Sequence, residues 1–215
     1  VSIIEKGIAS TSDFGQLTQF LTHELFKEFG LVVIDQNDAR LKTLFADIIR
    51  DEVFEQRAEK VLQPQLEWLE QHYSVQAKPR AINFFYIQPG SRDRIVSNGE
   101  GFTTANQLAN FSANEMDKEI STQPERFSPN VVMRPLYEEV ILPNLAYIGG
   151  GAEIIYWLQL KQNFDHYGVD FPILLLRNSA IFASMNLETK LNRLDLHIKD
   201  IFKNSEELKK EWVFN

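Results

Sequence analysis

The chain has no cysteine, so it can form no disulfide, offers no thiolate nucleophile and holds no Cys-based metal site. No apolar run is long enough to cross a bilayer and no signal-peptide pattern is present, which predicts a soluble cytoplasmic protein with no membrane partner. Because the first residue is Val1 rather than Met, removal of a targeting segment stays open. Lys/Arg-rich runs are missing as well. Together with a formal charge of -8 this argues against a nucleic-acid partner, while leaving room for local basic pockets.

What is present suits a packed protein. At 215 residues, 44% hydrophobic and 24% charged, the chain can bury a substantial core as one large domain or a domain plus an appendage. The organising stretch is 127–179. In it the apolar run 145–148 meets Gly149, Gly150 and Gly151, and 152–167 then reads as a helix. Residues 172–176, apolar on both faces, suit a parallel strand covered by helices on each side. The spacing predicts a βαβ unit. Glycines at such a junction can take positive φ and let a ligand reach the N–H groups that open the helix. The triplet is neither a dinucleotide fingerprint nor a P-loop, so a tight turn with no ligand explains it about as well.

Residues around that turn form the candidate site. Asn144 and Tyr147 lead into it, and Glu153 lies in the first helical turn, where it either faces a ligand as a base or complements the helix dipole. A helix over 131–142, ended by Pro143, sets Arg134, Tyr137 and Glu138 within about one turn. Arg134 can fork onto an oxyanion or pair with Glu138. Arg177 and Asn178 end the next strand and suggest a second wall. Trp157, Leu158, Leu160 and Phe164 read as core.

Upstream, Ser12 or Asp13 caps a helix over 14–29 that Gly30 stops, and 31–34 reads as a buried strand leading through Asp35 into a helix over 39–49. Asp35 could hold a ligand hydroxyl or ammonium group; more simply, it or Asp38 caps the helix. An amphipathic helix over 51–72 is expected to kink near Gln63, before Pro64. Residues 81–87 and 92–96 read as a small antiparallel insertion. Arg80, Arg92 and Arg94 beside it either converge on an anion or, more simply, make exposed salt bridges. Ser112 and Glu115 form a capping box. From 187 onward, Lys, Glu and Leu recur at helical spacing, as in an exposed amphipathic or coiled-coil helix.

Long strings carry a resemblance: RPLYEEVILPNLAYIGGGAEIIYWLQLK followed by HYGVDFPILLLRNSA, with FGLVVIDQNDARLKTLF, PRAINFFYI, RDRIVSNGEGF and ERFSPNVVMRPLY upstream. Over nearly its whole length the chain resembles the bacillithiol-biosynthesis cysteine-adding enzymes, the BshC family. The resemblance implies an internal piece of a longer protein, inactive alone. It also implies an α/β fold: a Rossmann-like, mostly parallel sheet with helices on both faces over 1–185, a β-hairpin insertion within a connecting segment at about 51–126, and the start of a coiled coil over 186–215. The parent would be a homodimer.

The implied activity is a carbon–nitrogen ligase adding L-cysteine to glucosaminyl malate in the last step to bacillithiol, with the thiol arriving on the substrate. The implied cofactor is ATP or ADP with Mg, or otherwise none, the addition being ATP-dependent or ATP-independent. No HIGH-like or KMSKS-like signature is present. No catalytic residue is carried over from the family. Position alone nominates Glu153 and Arg177 for catalysis, and Arg134, Asn144, Tyr147, Gly149, Gly150, Gly151, Asn178 and Asp35 for binding; no residue is nominated for a metal. The alternative is a non-catalytic nucleotide-binding or assembly module.

Overall fold

The computed structural model describes residues 2–214. The chain divides into two compact units, Val1–Leu176 and Arg177–Asn215. In the first, helix α1 (Ser2–Ser10) precedes α2 (Phe14–Phe26), whose first turn is capped by Asp13 accepting from the Gln16 N–H at 2.9 Å. Gly30, at φ 73°, ends the following 3-10 turn as expected. Residues 31–34 do not form the predicted strand: no neighbour pairs with their backbone, and Val32 stands 80% exposed.

Helix α3 (Ala39–Thr43) is capped by Asp38, and α4 (Ala46–Glu55) and α5 (Arg57–Glu70) follow. The break falls at Gln56, in the left-handed region at φ 52°, and α5 runs continuously through Pro64. The predicted stripe is nonetheless buried at Val53, Ala58, Leu62 and Leu66. Packing of that stripe outweighs the one hydrogen bond a proline removes.

The main sheet is antiparallel. Its strands β1 (Phe84–Gln88), β2 (Ser91–Ser97), β3 (Gly101–Thr104), β4 (Asn110–Ser112) and β5 (Phe127–Pro129) lie in the order β4-β3-β2-β1-β5. The expectation of a mostly parallel sheet is therefore corrected: the region read as a small insertion is the larger sheet. Helix α6 (Ala113–Thr122) starts on the predicted Ser112/Glu115 capping box.

After α7 (Arg134–Ile141) comes the predicted βαβ unit: β6 (Ala146–Gly149), α8 (Gly151–Gln159), α9 (Lys161–Tyr167) and β7 (Ile173–Leu176). Strands β6 and β7 are parallel, with Ala146 opposite Ile173 and Gly149 opposite Leu176. One continuous core gathers side chains from α4, α5, the antiparallel sheet, α6, α7, α8 and α9. Trp157, Leu160 and Phe164 belong to it, whereas Leu158 is exposed.

The second unit holds α10 (Met185–Arg193), a 3-10 turn over Ile198–Phe202, and α11 (Ser205–Phe214). No helix among the described residues is long and apolar enough to cross a membrane.

Candidate functional site

The glycine turn is built differently from the expectation. None of Gly149, Gly150 and Gly151 takes a positive φ; Gly150 sits in extended backbone at φ -71°. Gly149 is needed for close approach instead, because a Cβ there would lie 2.6 Å from Cε1 of Tyr147. At Gly151 a Cβ would meet nothing within 4 Å, so the helix start is open. Glu153 bends back, its Oε2 accepting from the Gly150 N–H at 2.7 Å, and so caps its own helix.

Several nominated residues do meet here. Tyr147 stacks on Trp157 with centroids 4.1 Å apart. Arg134 donates from a terminal guanidinium nitrogen to Tyr156 Oη at 2.9 Å, and no ion pair joins it to Glu138 among the described residues. Burial works against the Arg134 charge, but the Tyr156 hydrogen bond, with Tyr147 and Glu138 nearby, outweighs it and holds the guanidinium protonated. Burial, with Tyr156, Glu153 and Glu138 close by, pushes Tyr147 up to about 12. Burial also raises the Glu138 carboxyl, helped by Glu139 and Glu153 and opposed by Arg134. Arg134 and Tyr156 are thus joined by a hydrogen bond, with Glu138, Tyr147 and Glu153 near enough for their charges to act on one another; Tyr156 gave no sequence signal.

Asn144, Tyr137 and Asp35 are engaged elsewhere. Both the backbone and side-chain nitrogens of Asn144 donate to Glu139 at 2.8 Å. Tyr137 turns into the core, its hydroxyl donating to the Gln36 carbonyl at 2.7 Å. Asp35 accepts from the Asn37 N–H at 2.8 Å, and its charge acts on Lys42 and Tyr137 rather than at the strand end. Arg177 and Asn178 are exposed and follow directly on Leu176, the β7 residue opposite Gly149.

Arg134 also lines a cleft. The pleat of β1 and β2 sends Phe84, Tyr86 and Ile95 into the core and Phe85, Ile87 and Arg92 to the opposite face. There they line a cleft of about 770 Å³ with Lys42, Lys78, Arg80 and Arg134, and no carboxylate side chain lines it. The Arg92 guanidinium lies 3.8 Å from the centroid of Phe85, and its Nε donates to Ser128 Oγ at 3.1 Å.

Lys42, on α3, is 2% exposed; its ammonium donates to the Phe127 carbonyl at 2.7 Å. Burial, with Arg92 nearby and against Asp35, brings it down to about 8. Asn83, fully buried, fixes the rim. Its Oδ1 accepts from the Arg80 N–H at 3.0 Å and from Asn130 Nδ2 at 2.8 Å, and its Nδ2 donates to Glu52 at 2.6 Å. The exposed salt bridges expected for Arg80, Arg92 and Arg94 do not form among the described residues. Arg80 and Arg92 line one cleft instead, and Arg80 with Arg94 lines a neighbouring hollow. Lys42 gave no sequence signal, being one lysine in a helical stretch.

Residues 1–178 match the model of the family described as bacillithiol biosynthesis BshC, N-terminal Rossmann-like domain. The chain belongs to the BshC family. A protein of Flavobacterium johnsoniae named "Putative cysteine ligase BshC" is 44% identical over 191 residues, covering 89% of this chain and 36% of its own length. One of the same name from Cytophaga hutchinsonii is 42% identical over 201 residues, or 93% and 38% of the two chains. Another, from Bacillus cereus, is 27% identical over 220 residues, spanning all of this chain and 41% of its own. This BshC chain therefore spans little more than a third of the curated relatives it matches.

Proposed function

We propose that the full-length protein is a cysteine ligase that joins L-cysteine to glucosaminyl malate through an amide bond, in the last step to bacillithiol. The observation that carries this reading is the 44% identity, over 89% of the chain, to a relative named as a cysteine ligase. Amide formation needs an activated carboxylate. With ATP as co-substrate, the cysteine carboxylate becomes an acyl phosphate with loss of ADP, or an acyl adenylate with loss of pyrophosphate. The glucosamine amine then attacks the acyl carbon, the C–N bond forms, the C–O bond to phosphate breaks, and the amine yields a proton.

In this reading Glu153 accepts that proton and Arg134 steadies the developing anion, with the open start of α8 beside them. No group of three or more His, Asp or Glu among the described residues is arranged to hold a metal, so Mg would arrive on the nucleotide. A cytoplasmic homodimer held by a coiled coil from about residue 186 goes with the same reading.

One observation favours the non-catalytic alternative: Glu153 already has an oxygen committed to Gly150. Incubating the full-length protein with glucosaminyl malate, L-cysteine and ATP separates the two. A ligase yields bacillithiol by mass spectrometry and loses turnover in Glu153→Gln and Arg134→Ala. A binding module shifts its melting temperature with ligand and yields no product.

A further inference from the structure

We propose that the cleft beside the antiparallel sheet binds a small polyanion, a molecule with two or more carboxylate or phosphate groups, gripped by Arg80 and Arg92 at the mouth with Lys42 at the floor. The inference stands on the geometry of the cleft and is independent of the ligase reading.

Charge distribution is the first argument. The chain carries 30 acidic and 22 basic residues, yet five of the basic ones line this cleft and no acidic one does. Lack of compensation is the second. Lys78 pairs with Glu70, but Lys42, Arg80, Arg92 and Arg134 have no carboxylate within ion-pair distance among the described residues. Lys42 is almost wholly removed from water with one carbonyl as its hydrogen-bond acceptor. The Tyr137 ring, 4.6 Å from the ammonium, and the Asp35 charge offset the cost of that burial only in part, and an anionic ligand in contact offsets it further.

The third argument is preorganisation. Ser128 and the Phe85 ring hold the Arg92 fork, while Asn83 grips Arg80 at both its N–H, at 3.0 Å, and its carbonyl, at 2.7 Å. The Arg92 side chain is thus held in place, and at Arg80 the backbone is fixed while the guanidinium is left to close on the ligand. The cations come from separate segments, α3, the loop before β1, and β2, so they face the space from different sides and suit several anionic groups rather than one. Ile87 and the amide of Asn37 are left for the uncharged body of the ligand.

Isothermal titration calorimetry on the 215-residue chain with pyrophosphate, ADP and L-malate in separate runs tests this. At least one probe should bind tighter than about 1 mM at low salt. Preference for pyrophosphate and ADP makes it a phosphate site; preference for malate makes it a dicarboxylate site. Arg80→Gln and Arg92→Gln, both at exposed positions, should each weaken binding about ten-fold without shifting the melting temperature. Lys118→Gln, an equal loss of charge on α6, should leave it unchanged. The proposal is overturned if no probe binds tighter than about 1 mM, if acetate binds as well as malate, or if Lys118→Gln weakens binding as much as Arg92→Gln. Loss of the ligase reading through absent product would leave these binding results untouched, so the two fail separately.

Discussion

In the antiparallel sheet Phe84, Tyr86, Ile95, Phe102 and Phe127 point into the core while Phe85, Ile87 and Arg92 line the outer face, whereas in the parallel pair the uninterrupted apolar run of β7 leaves Ile173 67% and Leu176 69% exposed. Helix α8 lies against β6 and β7, with Tyr147 stacked on Trp157 and Leu174 packed against the core. Ile148, Ile173 and Leu175, on the alternate positions, stay exposed. Alternation marks a strand built to be covered on one side, and a continuous apolar run marks one built to be covered on both. Among the described residues of the first unit only the first requirement is met. The antiparallel half should therefore carry its stability, and substitutions in the two sheets should differ sharply in cost.

Phe127→Ala should be the most damaging. The ring is fully buried and meets Tyr86 edge-on at 5.7 Å, so its loss should cost about 3–5 kcal/mol in urea unfolding. A cost below about 1 kcal/mol would break the contrast between the sheets. Next comes Glu52→Ala, which strips the acceptors from the Ala58 N–H and Asn83 Nδ2 and should cost about 2–3 kcal/mol. The same carboxyl gives a pH signature. Burial raises it to about 7, against the pull of the Ala58 and Asn83 hydrogen bonds, so the folded state holds the proton more tightly than the unfolded chain does. That contribution is fully present below about pH 4.5 and is lost as pH rises through about 7. Wild-type stability relative to Glu52→Gln should accordingly fall between pH 5 and 8, by an amount on the order of 3 kcal/mol at most. A pH-independent difference would mean Glu52 is ionised throughout.

Gly149→Ala should cost about 1–3 kcal/mol, because the new methyl meets the Tyr147 ring and must unseat it from Trp157. A shift in tryptophan emission should accompany the loss.

The local grammar of the chain was largely legible. Asp13, the Ser112/Glu115 box, Gly30 and the strand–glycine–helix order all announce themselves through side chains that satisfy backbone groups next to them. The break at Gln56 did not, since a glutamine in the left-handed region is imposed by the packing of α4 and α5 on either side. Sheet type failed for a related reason. The apolar run of β7 is loud and the short strands β3, β4 and β5 are quiet, yet hydrogen-bond partners, not local hydrophobicity, decide which sheet is larger. At the candidate site Arg134, Tyr147 and Glu153 were found from position along one chain segment. That Lys42, Arg80 and Arg92 line one cleft depends on the tertiary placement of α3, the loop before β1, and β2, and no spacing rule encodes it.

The smallest expected effect is the sharpest probe of the comparison. Ile173→Thr keeps a β-branched residue in a strand and alters a side chain already 67% exposed on the outer face of the parallel pair. Almost no apolar area is there to lose, so unfolding of this chain should change by no more than about 0.5 kcal/mol. A loss of about 2 kcal/mol would mean that the face is covered in solution, through association of chains, and the loss would then grow with protein concentration because the cover is intermolecular. Unfolding curves at two concentrations a hundred-fold apart distinguish the outcomes: superimposed curves leave the face bare, and a concentration-dependent midpoint shows that another molecule supplies what the continuous apolar strand was built to meet.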